Sequence, residues 1–174
     1  NFLSGLILIF SRTLHEGDVI DVGNLQGVVR KISVRATTVE TFDNAIIFVP
    51  NSEFVSNRLI NWTRNGRIVR REVAIGVAYG TDPKLVERLL VEVAQSVPQI
   101  VRRPQPFVLF MDFADSTLNF VLRYWSDIGT ATDAASAIRH RIVEVFAEHQ
   151  VEIAFPQLDV HVIPQTPSLT RAEG

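Results

Sequence analysis

The sequence predicts an α+β fold made of two unlike units, a small all-β unit followed by an α/β sandwich. Three observations predict it. Between Val19 and Trp62, short β-branched runs alternate with turn residues, the pattern of a small barrel or sandwich. From Ile68 onward, strand and helix periodicities follow in the order strand, helix, strand, strand, helix, strand, a ferredoxin-like split βαβ arrangement. The chain has 174 residues, 47% hydrophobic and 21% charged, enough to bury the core of one medium domain or two small ones.

The chain starts with a run apolar on every side, Phe2 to Phe10, that ends at Arg12. It is no signal peptide, since no basic segment precedes it and no small-residue cleavage site follows. Ten helical residues cover ~15 Å, about half of a ~30 Å hydrocarbon core. A buried helix and the distal end of a longer membrane helix both fit; uniform apolarity favours the second. Glu16-Gly17-Asp18 then turns into a strand at Val19–Val22, and Gly23-Asn24 turns again. Strands are expected from Val28 to Val34, Ala36 to Phe42, Ala45 to Val49 and Arg58 to Trp62. Asp43-Asn44 reads as a hairpin turn, because both residues tolerate left-handed backbone. Pro50 stops the fourth strand, and Asn51-Ser52 reads as the cap of a short helical turn.

In the second unit, Val69, Arg71, Val73, Ile75 and Val77 alternate with mostly polar or small residues in a strand reaching Tyr79. Thr81-Asp82-Pro83 opens a helix, with a capping side chain before an early proline. Its apolar stripe is Leu85, Val86, Leu89, Leu90, Val93 and Val97. Phe107–Phe113 and Leu118–Trp125 form a hairpin about Asp115-Ser116. Thr130 and Asp133 read as a capping box for a second helix, with Ala135, Ile138, Ile142, Val145, Phe146 and His149 facing the core. After Pro156, Leu158 to Ile163 reads as the last strand, and the tail from Pro164 is polar.

Charge and chemistry narrow the function. The formal net charge is −2, whereas nucleic-acid binders usually carry a basic surplus. The chain has no cysteine, so disulfides, thiolate catalysis and Cys-based zinc sites are excluded. His15, His140, His149 and His161 show no metal-ligand spacing. Asp112 and Asp115 read as solvated hairpin carboxylates, and no G-x-G-x-x-G fingerprint occurs. No catalytic residue, metal or cofactor is expected. The basic run Arg58, Arg64, Arg67, Arg70, Arg71 falls between the two units, with Trp62 nearby. It admits three readings: solvated arginines, which the residues alone favour; a nucleic-acid patch; and the charged lining of an aqueous opening.

In this order the segments resemble the small-conductance mechanosensitive channel family. The matching residues are NFLSGLILIFSR, GDVIDV, RATTVETFDNAIIFVPNS and NRLINWTR, then VAYGTDPKLVERLL, LNFVLRYWSD and FPQLDVHV. The resemblance covers residues 1 to about 163, and so many motifs in one order are highly specific.

The resemblance implies that residues 1–14 end a pore-lining helix, 15–65 form an Sm-like β-barrel domain and 66–155 a ferredoxin-like domain. Residues 156–163 are then a strand of an oligomeric barrel, contributing Leu158, Val160 and Val162, and 164–174 a tail. It implies a homoheptamer enclosing a cytoplasmic cage below an inner-membrane pore. The partners are other copies, lipid through helices upstream of Asn1, and permeating ions and small solutes, with no nucleic acid. Asn1 and Gly5 match the family's distal pore helix. Asp43 and Asn44 match the hairpin that couples cage to pore, Asn44 standing where the family carries Gly. Arg67, Arg70 and Arg71 become candidates for lining side portals. The competing class is a soluble nucleic-acid-binding module, because both small barrels and ferredoxin-like sheets host RNA binding.

Overall fold

The protein was analysed as a computed structural model, which describes Leu3 and residues 13–160. Asn1, Gly5 and Val162 lie outside the described residues. Turn residues cut the first unit into short strands: β1 (Val19–Val22), β2 (Leu25–Ile32), β3 (Ala36–Thr41), β4 (Ile46–Pro50) and β5 (Leu59–Asn61). They form one antiparallel sheet in the order β4-β3-β2-β1-β5. Period-two alternation turns Ile20, Val22, Val29, Val39 and Val49 to one side, where Leu14 and Phe54 complete the core. A register shift between Val29 and Lys31 bends β2 around that core. Gly27 has no room for a side chain, since a Cβ there would press on the Glu40 carbonyl oxygen and lie 2.7 Å from Val39 Cγ1. The sheet curls in the manner expected of a small barrel, with β4 and β5 as its two edges.

A one-and-a-half-turn helix, α1 (Asn51–Ser56), follows β4. Here the structure differs from the sequence reading. Pro50 occupies the cap position, and no side chain caps the helix. Asn51 is instead wholly buried. Its amide donates to the carbonyls of Ser33 (2.8 Å) and Val34 (3.1 Å), and its Oδ1 accepts from the Thr37 hydroxyl (2.8 Å). The Asn51 backbone N–H also donates to the Arg35 carbonyl at 3.0 Å. One buried amide thus holds the β2–β3 turn from beneath.

Gly66 (φ 110°) turns the chain into the second unit. This unit holds β6 (Ile68–Val77), α2 (Pro83–Ser96), β7 (Phe107–Phe113), β8 (Leu118–Asp127) and α3 (Ala131–Glu148). The sheet order is β6-β8-β7, all antiparallel. Odd residues of β6 and even residues of β8 face the helices; Val73, Val77, Phe120, Leu122 and Tyr124 meet Val86, Leu89, Leu90, Ile138 and Phe146. Asp82 caps α2 by accepting from the Lys84 N–H at 2.9 Å, with Pro83 in the first turn. The expected Thr130–Asp133 capping box is absent. A 3-10 turn at Ile128–Thr130 precedes α3, and Asp127 caps that turn by accepting from the Gly129 N–H at 2.8 Å.

The fourth strand of the split βαβ order lies earlier in the chain than the sequence reading placed it. Beside β6, the fourth-strand position is held by residues 152–154: Ile153 bridges to Val77, Ala78 N–H donates to Glu152 O, and Ala154 N–H donates to Gly76 O, both at 3.0 Å. Leu158 and Val160 carry no strand pairing and are 91% and 78% exposed. A strand exists only with a neighbour to complete its ladder, and within one chain these residues have none.

Asn51→Ala should lower unfolding stability by about 2–4 kcal/mol, since it removes three hydrogen bonds of one buried amide and strands the buried Thr37 hydroxyl. Urea unfolding measures this, with Ser52→Ala, one residue along the same helix, expected within about 0.5 kcal/mol of the parent.

Candidate functional site

Two places carry the features singled out in the sequence, the β3–β4 hairpin and the seam between the units. In the hairpin, the Asn44 N–H donates to Thr41 O (3.0 Å) and the Thr41 N–H to Ala45 O (2.9 Å), while the Ala45 N–H also reaches Thr41 Oγ1 (3.1 Å). Of the Asp43-Asn44 pair only Asn44 is left-handed, at φ 64°. The geometry is therefore a three-residue loop closing on one left-handed residue. Asn fits that position because its short amide tolerates αL backbone, whereas a β-branched residue would be strained. Phe42 at the tip is 68% exposed, and Ile46 and Phe48 on the adjoining edge strand are 51% and 71% exposed. The hairpin thus presents an apolar surface that the described residues leave exposed.

At the seam, the five arginines do not form one patch. Arg67 forks onto Asp127, Nε to Oδ2 and Nη2 to Oδ1, each 2.9 Å. The bidentate bond to Arg67, joined by the Gly129 N–H, holds the Asp127 carboxyl below its ordinary range. Next to this fork, the Ile128 N–H donates to Arg67 O at 2.9 Å. Arg70 is exposed and pairs across the strands with Trp125, on the face of the sheet away from the helices. Strand alternation puts Arg71 on the opposite face, where its guanidinium lies 5.8 Å from the centroid of the Trp62 ring. Arg64 Nη1 lies 3.2 Å from His15 Nδ1. Spacing in the sequence brought these charges together; the pleat and the Asp127 partner separate them. Sequence reading missed Asp127 as the partner of Arg67, because the two are 60 residues apart.

The remaining flagged groups have ordinary surroundings. Asp112 accepts from Asn119 Nδ2 (2.7 Å), and His149 Nδ1 lies 2.9 Å from Val145 O at the end of α3. No described helix is long and apolar enough to cross a membrane.

A curled five-stranded sheet joined through this seam to a split βαβ sandwich defines a two-unit protein of the mechanosensitive-channel type. Residues 1–64 match the family model "Mechanosensitive ion channel, beta-domain", and residues 72–153 match "Mechanosensitive ion channel MscS, C-terminal". The chain is 42% identical over 163 residues to an uncharacterized MscS family protein of Haemophilus influenzae, and 37% identical over 163 residues to the mechanosensitive channel MscK of Escherichia coli. Each alignment covers 93% of this chain but only 15% of the relative. The closed-state crystal structure of Helicobacter pylori MscS superposes with a TM-score of 0.84 at 28% identity, covering 94% of this chain and 65% of that one. The chain belongs to the MscS family of mechanosensitive channels.

The Asp127 carboxyl, depressed in the fold, ionises below its unfolded value. Its pairing therefore adds stability above about pH 4 and loses it as pH falls through the folded pKa. Asp127→Asn should flatten the acid side of the profile of melting temperature against pH below about pH 4, leaving the slope above about pH 6 unchanged. Thermal unfolding of both proteins across that range measures it.

Proposed function

We propose that this chain is the cytoplasmic cage portion of a channel that opens under membrane tension and releases ions and small solutes in hypoosmotic shock. The observation that carries the reading is the pairing of both family domains, in family order, in one chain. On this reading residues 1–14 close a pore helix at the inner membrane, 15–65 and 66–155 build the cage wall, 156–163 add a strand to a barrel at its base, and 164–174 form a tail. Asn1 and Gly5 on the helix and Asp43 and Asn44 on the hairpin couple pore to cage. The apolar surface formed by Phe42, Ile46 and Phe48 supports that role, because a soluble unit gains nothing by exposing it.

The channel is a homo-oligomer of seven copies. Its support lies in the uncovered edge of β4 and in the exposure of Leu158 and Val160, which with Val162 would pair with the same strand of neighbouring copies. The portals are lined by Arg70 and Arg71. Arg67 contributes less, since Asp127 already neutralises it. The nucleic-acid alternative draws nothing from the arginines, which are split between two faces, and the net charge opposes it.

Native mass spectrometry of the full-length protein in detergent should give a homo-oligomer, seven copies being the expected count. Phe48→Lys should shift it toward smaller species while leaving the far-ultraviolet circular dichroism of the subunit unchanged. A monomer persisting across a wide concentration range would overturn the reading.

A further inference from the structure

A cleft between β6 and the first turns of α3 collects hydrogen-bond donors that the described residues do not use. It is a cavity of about 380 Å³ lined by Arg71, Glu72, Tyr124, Thr132, Ser136 and Arg139. Thr132, Ser136 and Arg139 recur at helical spacing and so share one face of α3. Tyr124 is 0% exposed, and its hydroxyl has no hydrogen-bond partner among the described residues. Buried hydroxyls are almost always paired, so this one calls for an explanation. Arg139 donates only to the carbonyl of Ala135 on its own helix, at 3.2 Å. Arg71 rests on Trp62, and no described carboxylate pairs with it or with Arg139. The one acid in the wall, Glu72, already accepts from Arg123 Nε at 3.4 Å.

The balance is two guanidinium groups and a buried hydroxyl against one carboxylate that is already engaged. Burial pushes the Tyr124 hydroxyl up from its ordinary pKa, while the charges of Arg139 and Arg71 act the other way. It therefore stays protonated at neutral pH and can donate. Donors outnumber free acceptors, as in a site for an anion with several oxygens.

We propose that this cleft binds a small solute through a phosphate or carboxylate group, held by Arg71 and Arg139 and receiving a hydrogen bond from Tyr124. Arg71 and Thr132 also line a neighbouring cavity of about 350 Å³ that reaches Trp62 and Val19 of the first unit. A bound oxyanion draws the Arg71 guanidinium away from the Trp62 ring, so occupancy is felt at the seam between the units. The inference rests on the residues of the cleft and stands or falls independently of channel activity.

The test is titration of the whole chain with inorganic phosphate and, separately, succinate, at constant ionic strength set by chloride. Trp62 fluorescence is followed in a Trp125→Phe background, with calorimetry of the unaltered chain alongside. The expected result is a saturable signal with at least one anion; phosphate alone points to a phosphorylated solute, succinate to a carboxylate. Arg139→Gln should weaken binding roughly tenfold, the scale of one charged hydrogen bond. Tyr124→Phe should weaken it several-fold yet raise the melting temperature of the unliganded chain, because it removes an unpaired buried hydroxyl. A purely structural Tyr124 would not show that opposition. Absence of saturable binding by both anions, or affinities in both variants equal to the parent's, overturns the proposal.

Discussion

A strand edge carries a row of backbone N–H and C=O groups that only another strand, a covering element or water can satisfy. In the first unit β4 and β5 are both edges; in the second, β6 gains only the short pairing at residues 152–154. Further along, Leu158 and Val160 have no neighbouring strand at all. Soluble monomers blunt such edges with charge, proline or bulges. Here β4 exposes Ile46 and Phe48 instead, with Pro50 only at its end. Chemistry of this kind asks for copies of itself, and the proposed ring and basal barrel are closed ways of supplying them.

Two contacts at the seam differ in character, and only one of them crosses between the units. The Arg67–Asp127 fork pins the start of β6 to the end of β8, and it shares Asp127 with the cap of the turn leading into α3. Across the same seam, Arg71 covers Trp62 through a softer contact without a carboxylate. The fork is geometric and acid-sensitive, and it lies within the second unit. The Arg71–Trp62 contact can be exchanged for another partner of the guanidinium, which makes it the adjustable part of the joint.

Much of this was legible in the sequence. Turn residues and β-branched runs marked all five strands of the first unit, because each is short and most end at or beside glycine, proline or asparagine. Asp82 before Pro83 marked the start of α2 for a local reason, a side chain reaching two residues on. The misreadings share a different cause. Asn51 looked like a cap because capping is local; its actual partners, at positions 33, 34 and 37, lie across the fold. The Thr130–Asp133 pair lost to Asp127, which satisfies the preceding turn first. The pairing at residues 152–154 was missed because a single bridge is too short to leave a period in the sequence. The arginine run looked like one patch because a linear reading cannot see that adjacent residues of a strand face opposite ways. The cleft around Tyr124 was invisible for the same reason, since its parts come from three elements.

The central claim is that this chain belongs to a pore opened by tension, and recordings from membrane patches test it most directly. Full-length protein carrying this segment, expressed in cells lacking other tension-gated channels, should give discrete conductance steps that rise steeply with applied suction. Patches that contain the protein, verified by immunoblot, yet stay silent up to the tension at which the membrane ruptures would contradict it.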